Sequence, residues 1–165
     1  MELKKTLERQ GNFLFRHRSH LPLIFFPAAF LMLGRSAHLE NMFGHSVQFI
    51  WEAVCVLVSV AGLGVRVGTV GYAPRGTSGR NVGGQLAEQL NTTGMYSICR
   101  HPLYLGNYLI LLGFLLFTQA WVLALAGSVL FWIYYGRIML AEEAFLKEKF
   151  KGAFAQWADA TPTFF

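Results

Sequence analysis

From Leu103 to Tyr135 the chain is apolar for 33 residues, interrupted only by Thr118 and Gln119. One straight helix of that length would measure about 50 Å at ~1.5 Å per residue, well beyond a bilayer core of about 30 Å. The run therefore has to fold back on itself, and the polar pair marks the place. This predicts an antiparallel helical hairpin turning at Thr118-Gln119-Ala120, with spans of about 103–118 and 121–141. Its two far ends then lie one interhelical distance apart, roughly 8–10 Å.

Two further apolar stretches occur, at about 21–34 and 47–72. The second is long enough to cross with some tilt. The first holds Pro22 and Pro27 and is short, so it reaches back toward Phe13 or sits shallow. A cleaved leader would also have a basic front and a short apolar core. A basic region of 20 residues, and Arg35 inside the small-residue pattern ending at Ala37, argue against it. Hydrophobic residues make up 54% of the chain and charged ones 14%, which excludes a disordered chain and a soluble nucleic-acid binder. The expected fold is all-α: a polytopic membrane protein of about four transmembrane helices, one domain over 1–165, ending in the hairpin.

Lysines and arginines set the orientation. Lys4, Lys5, Arg9, Arg16 and Arg18 precede the first stretch, and Arg35 stands alone in the first loop. Arg75, Arg80 and Arg100 lie in the loop 73–102, and Arg137, Lys147, Lys149 and Lys151 follow the hairpin. By the positive-inside rule both termini and the 73–102 loop are cytoplasmic, in the inner or plasma membrane if the source is bacterial. Two cysteines, Cys55 and Cys99, are too few for a disulfide framework or a thiolate metal site. The histidines show no ligand spacing, so no metal is expected.

The hairpin then brings two polar segments together at the cytoplasmic face. One reads Gly94-x-Tyr96-x-x-x-Arg100-His101-Pro102-x-Tyr104-x-Gly106; the other is Glu142-Glu143. Singly, each has a structural reading: interfacial Arg and His, headgroup-level Tyr, a first-turn proline, and an i,i+4 pair of Glu143 with Lys147. Together they can receive an anion at the helix start and a hydroxyl or cation on the carboxylates. Arg66, in the second span, either snorkels or lines this site. Asn107 points into the bundle or the site, and its amide needs a partner. Gly64-x-x-x-Gly68, and Gly106 with Gly113, read as small-residue faces for close helix approach. Arg75-Gly-Thr-Ser-Gly-Arg80 reads as an anion-binding segment or a positive-inside loop on anionic lipid.

The Arg-His-Pro-x-Tyr-x-Gly segment, with Glu142-Glu143-x-x-Leu146 some 36 residues on, resembles the membrane-embedded methyltransferases. These include isoprenylcysteine carboxyl methyltransferase and the phospholipid N-methyltransferases, and the likeness covers about residues 60–160. The resemblance implies S-adenosylmethionine as cofactor, bound by Tyr96, Arg100, His101, Pro102, Tyr104, Gly106, Glu142 and Glu143. It puts Arg100, His101 and Glu143 at the reaction, acting on a lipid or lipidated acceptor with no nucleic-acid partner. Arg66, Arg75, Arg80 and Asn107 are then expected to bind the acceptor. The tail departs from the family pattern, with Thr161-Pro162-Thr163 where Val-Pro-Arg is common. Two other readings stand beside it: a sterol-type membrane reductase using NADPH, whose motif has Asn where Leu103 stands, and a small non-enzymatic membrane assembly protein. Methyl transfer from a sulfonium demands positioning and desolvation rather than a metal or covalent nucleophile, so the lack of a Ser-His-Asp or Cys-His set is no objection.

Overall fold

The computed structural model describes residues 10–15, 27, 30–31, 38–73 and 87–164, and among these there is no β-strand. Residues 10–15 are helical. Then come α1 (His38–Phe43), α2 (His45–Tyr72), a 3-10 turn (Gly94–Ser97), α3 (Pro102–Phe117), α4 (Trp121–Phe150) and α5 (Gly152–Ala160). Gly44, at φ 83°, separates α1 from α2. A residue with a side chain would be strained at that angle.

The hairpin turns where the polar interruption requires. Gln119 takes a positive φ of 55° between α3 and α4. Its buried side chain donates to Gln48 Oε1 at 2.7 Å and accepts from Leu39 N–H at 3.0 Å. Gln48 in turn donates to the half-buried Glu52. Trp51 on α2 donates to Leu116 O at 3.1 Å, so the turn is tied to α2 by side chains as well as by the chain. A buried amide in apolar surroundings is tolerable only when partnered, and this network supplies the partners.

Of the four expected spans, α2 (28 residues) and α4 (30 residues) are long and apolar enough to cross a membrane. The third, α3, is apolar but has 16 residues, about 24 Å at 1.5 Å per residue. The 21–34 stretch lies outside the described residues save positions 27, 30 and 31. Large apolar side chains such as Leu57, Val67, Val122 and Leu125 are each about two-thirds exposed or more, a surface that suits lipid rather than water. The apolar segment expected at about 121–141 lies within a longer helix: α4 continues to Phe150, because Ala, Glu, Leu and Lys are strong helix formers whose charges end the apolar segment but not the helix. One expectation needs correction: the helix contact is not made by Gly64 and Gly68. Among the described residues, Gly64 meets nothing and Gly68 meets only Met95.

The close approach lies two residues away, at Gly62. A Cβ on Gly62 would stand 2.7 Å from Gly106 O, and one on Gly106 would stand 2.8 Å from Gly62 O. Farther along α3, a Cβ on Gly113 would meet Cys55 O at 2.5 Å. These glycines let α2 and α3 touch backbone to backbone, and Ser59 adds a hydrogen bond to Ile110 O at 3.3 Å. Between α3 and α4 the core is aromatic. Tyr104 and Tyr135 rings stand 4.9 Å apart, Phe131 and Tyr135 4.2 Å, and Leu115 is fully buried against Gly127. Phe15, from the helical residues 10–15, closes this core.

Candidate functional site

Pro102 opens α3 with its missing N–H at the first helical position, where no acceptor is needed, and His101 holds the N-cap position without a side-chain capping bond. Arg100 and His101 therefore sit immediately before the helix start. Across the hairpin, Glu142 and Glu143 stand on α4, and the pairing between the two ends is direct. Tyr104 donates its hydroxyl to Glu142 Oε2 at 2.9 Å. His101 Nε2 lies 3.0 Å from Glu143 Oε1. A carboxylate only accepts, so the proton of that bond sits on Nε2. His101 Nδ1 is 3.8 Å from Glu142 Oε2, and Arg100 Nε is 3.4 Å from Glu143 Oε1. The histidine is thus held between two carboxylates. His101, Tyr104 and Glu142 are buried, whereas the Glu143 side chain keeps 27% of its surface open.

Glu142 and Glu143 do not sit at the negative end of α4, since the helix runs seven residues further. The dipole acts over the last turn only, so Arg100 and His101 balance these carboxylates.

Two groups in the cluster have capacity to spare. Arg100 Nε is buried and has no hydrogen-bond acceptor among the described residues, its alignment with Glu143 failing despite the distance. Glu143 Oε2 accepts no hydrogen bond from the described residues. A buried, charged donor without an acceptor is costly. The cluster therefore offers one donor suited to an anion and one acceptor suited to a hydroxyl. Those two groups fit a carboxylate and a ribose hydroxyl of S-adenosylmethionine, the cofactor that the sequence resemblance implies.

The chain's last residues complete the site in a way sequence reading missed. Arg100 N–H donates to Pro162 O at 2.9 Å, and Arg100 Nη2 donates to Thr163 Oγ1 at 2.6 Å. Trp157 on α5 donates to Tyr96 O at 3.0 Å, which fixes the 3-10 turn. Phe164 lies 6.3 Å from the His101 ring and 5.0 Å from Trp132. The sequence signal was the aromatic residues Phe154, Trp157, Phe164 and Phe165 standing among small and polar neighbours in the tail. Thr163 holds Arg100 where the family commonly has an arginine.

Other expected site residues are placed elsewhere. Gly106 and Asn107 face α2: Gly106 at the backbone contact, Asn107 accepting through Oδ1 from Arg66 Nη1. Arg66 thus pairs within the bundle rather than snorkelling. Arg75 and Arg80 lie outside the described residues. Cys99 is buried next to the cluster, and burial pushes its thiol up, away from thiolate reactivity.

The family model for phospholipid methyltransferases matches residues 49–153. That range takes in α2, the Arg100–Gly106 segment and the Glu142-Glu143 pair. The chain belongs to the phospholipid methyltransferase family. Within it, the chain is 33% identical over 159 residues to the cobalt-zinc-cadmium resistance protein CzcN of Cupriavidus metallidurans, covering 93% of this chain and 66% of that one. It is 34% identical over 122 residues to the nickel-cobalt-cadmium resistance protein NccN of Alcaligenes xylosoxydans xylosoxydans, covering 74% of this chain and 55% of the relative. The chain thus spans two thirds or less of each relative's length. No solved structure matches it. The 157–164 tail over Arg100 lies beyond the range the family model matches.

Proposed function

We propose that residues 1–165 form an integral-membrane methyltransferase that uses S-adenosylmethionine at the cytoplasmic face and methylates a lipid or lipidated acceptor bearing an anionic headgroup. The observation that carries this reading is the clamp of His101 between Glu142 and Glu143, with Arg100 Nε and Glu143 Oε2 left over. In it Arg100 binds the cofactor's carboxylate, Glu143 its ribose, and Tyr104 and Glu142 hold His101 in place. The bound sulfonium supplies a methyl group already activated for in-line transfer. The chain's own residues position the partners and exclude water. An anionic oxygen brings its own lone pair, so no base is required.

The acceptor's charge has a second support. Two relatives are named for resistance to divalent metals. Methylating a lipid phosphate removes one negative charge from the membrane surface. At a surface potential of about −30 mV a divalent cation is concentrated roughly tenfold, so neutralised headgroups lower its local concentration. Arg75 and Arg80 are the acceptor-reading cations in this proposal. Arg80→Ala is expected to raise the apparent acceptor KM at least fivefold and leave S-adenosylhomocysteine affinity within twofold. Equal loss of both would make the loop a shared lid.

The function is tested by supplying methyl-labelled S-adenosylmethionine to membranes containing the protein, then extracting lipids and identifying labelled species by mass. Label in a phosphate- or carboxylate-bearing lipid is expected. Label confined to amines would overturn the anionic acceptor. No transfer, together with binding of NADPH rather than S-adenosylhomocysteine, would restore the reductase reading.

A further inference from the structure

A separate cavity lies about 140° around α4 from Glu142, at about 100° per residue. There the helical residues 10–15 rest on α4 so closely that a Cβ on Gly11 would collide with Arg137 O and stand 2.7 Å from Ala141 Cβ. Tyr134 donates to Leu14 O at 3.0 Å, and Phe15 is buried in the core. The segment is therefore built onto the helix. Between the two is a cavity of about 560 Å³, lined by Gln10, Phe13, Leu14 and Arg137. Its size falls in the range of small-ligand sites, about 300–1,000 Å³.

The cavity is apolar along Phe13 and Leu14 and cationic at Arg137. Arg137 Nη1 donates to Ile133 O at 3.0 Å, in its own helix. Its Nε is buried and has no acceptor among the described residues. The carboxylates on the next turn, Glu142 and Glu143, are engaged by Tyr104, His101 and Arg100 on the other side of the helix. An ionised donor left unsatisfied costs more than a neutral one, and an anionic oxygen would remove that cost. Arg137 sits one turn before Ala141, close to where α4 turns from apolar to charged, which is headgroup depth.

We propose that this cavity binds an anionic phospholipid, with the phosphate on Arg137 and the start of an acyl chain over Phe13 and Leu14. The apolar wall selects an amphiphile: free phosphate gains nothing from Phe13, and a zwitterionic lipid presents a cation as well. Because the cavity faces away from the Arg100–Glu143 cluster, its lipid is a resident ligand and not the methyl acceptor. The proposal is independent of the methyltransferase reading.

The test is native mass spectrometry of the protein in neutral detergent without cofactor, titrated with phosphatidylglycerol, phosphatidylcholine or inorganic phosphate. One phosphatidylglycerol is expected to persist under conditions that strip phosphatidylcholine. Arg137→Gln should weaken it at least tenfold and Arg137→Lys less, because lysine keeps the charge and loses the planar fork. Phe13→Asp, at a side chain 64% exposed, removes the apolar wall without disturbing the core and should also release the lipid. S-adenosylhomocysteine affinity of the Arg137→Gln protein should stay within twofold. Phosphatidylglycerol retention equal to the parent's in both Arg137→Gln and Phe13→Asp would overturn the site. Displacement of the lipid by inorganic phosphate at equal concentration would overturn the amphiphile in favour of a simple ion site. Loss of S-adenosylhomocysteine binding in the folded Arg137→Gln protein would overturn its separateness from the cluster.

Discussion

The double variant Glu142→Gln, Glu143→Gln is expected to bind S-adenosylhomocysteine at least tenfold more weakly than the parent, a change of about 1.4 kcal/mol or more. The substitution preserves side-chain size, so the hairpin core is kept. What changes is charge. Glu143 stands 3.0 Å from His101 Nε2 and 3.4 Å from Arg100 Nε, and Glu142 accepts from Tyr104 at 2.9 Å. Without the carboxylates, His101 loses the two groups that orient it, and Arg100 is left buried against neutral amides. Removing one partner of a fully buried pair costs about 3–5 kcal/mol; Glu143 is partly open to solvent, so a smaller loss is expected here. Tyr104→Phe, which deletes one hydrogen bond and no charge, should cost less than the double variant. The check is calorimetric titration in detergent, with the unfolding midpoint measured alongside. Unchanged affinity would sink the clamp as a cofactor site, and unchanged stability beside it would reduce the two carboxylates to a solvated helix face.

Gly113→Ala is expected to be among the most destabilising single-methyl additions the chain can receive. The new Cβ would lie 2.5 Å from the Cys55 carbonyl and 2.9 Å from Ser59 N, both backbone atoms of α2. Backbone cannot rotate out of the way as a side chain can. The two helices must move apart along their shared face, which also loosens the Gly62–Gly106 contact. Overpacking of this kind costs about 1–3 kcal/mol where side chains can yield, and more where they cannot. The internal comparison is Gly64→Ala, whose Cβ meets nothing within 4 Å. In a helix interior that change gains about 0.8–1 kcal/mol of intrinsic propensity, so it should be neutral or stabilising. The measurement is the thermal unfolding midpoint in one detergent for both variants. Equal shifts would mean that α2 and α3 do not meet on the Gly62–Gly106–Gly113 face.

The hairpin and the meeting of Arg100-His101 with Glu142-Glu143 were legible in the sequence for one reason. An apolar run too long for a bilayer, broken once by Thr118-Gln119, must turn at that break. Residues about equally far from the turn on either side then come to the same level, because each helix rises by the same distance per residue. Length and polarity thus determined the topology of the hairpin and the level at which the polar groups cluster. They did not determine rotation about the helix axes. α3 is apolar on nearly every side, so its sequence names no buried face, and only packing against α2 settled that Gly62 rather than Gly64 makes the contact. Nor did polarity mark the end of α4: the helix runs on through Glu142 and Glu143 to Phe150, because charge ends a membrane segment and not a run of helix formers. The docking of Pro162, Thr163 and Phe164 on Arg100 and His101, and the cavity where Gly11 meets Arg137, join parts of the chain some 60 to 125 residues apart. Local pattern carries no information over such a separation; those contacts exist only once the helices have chosen their mutual rotation.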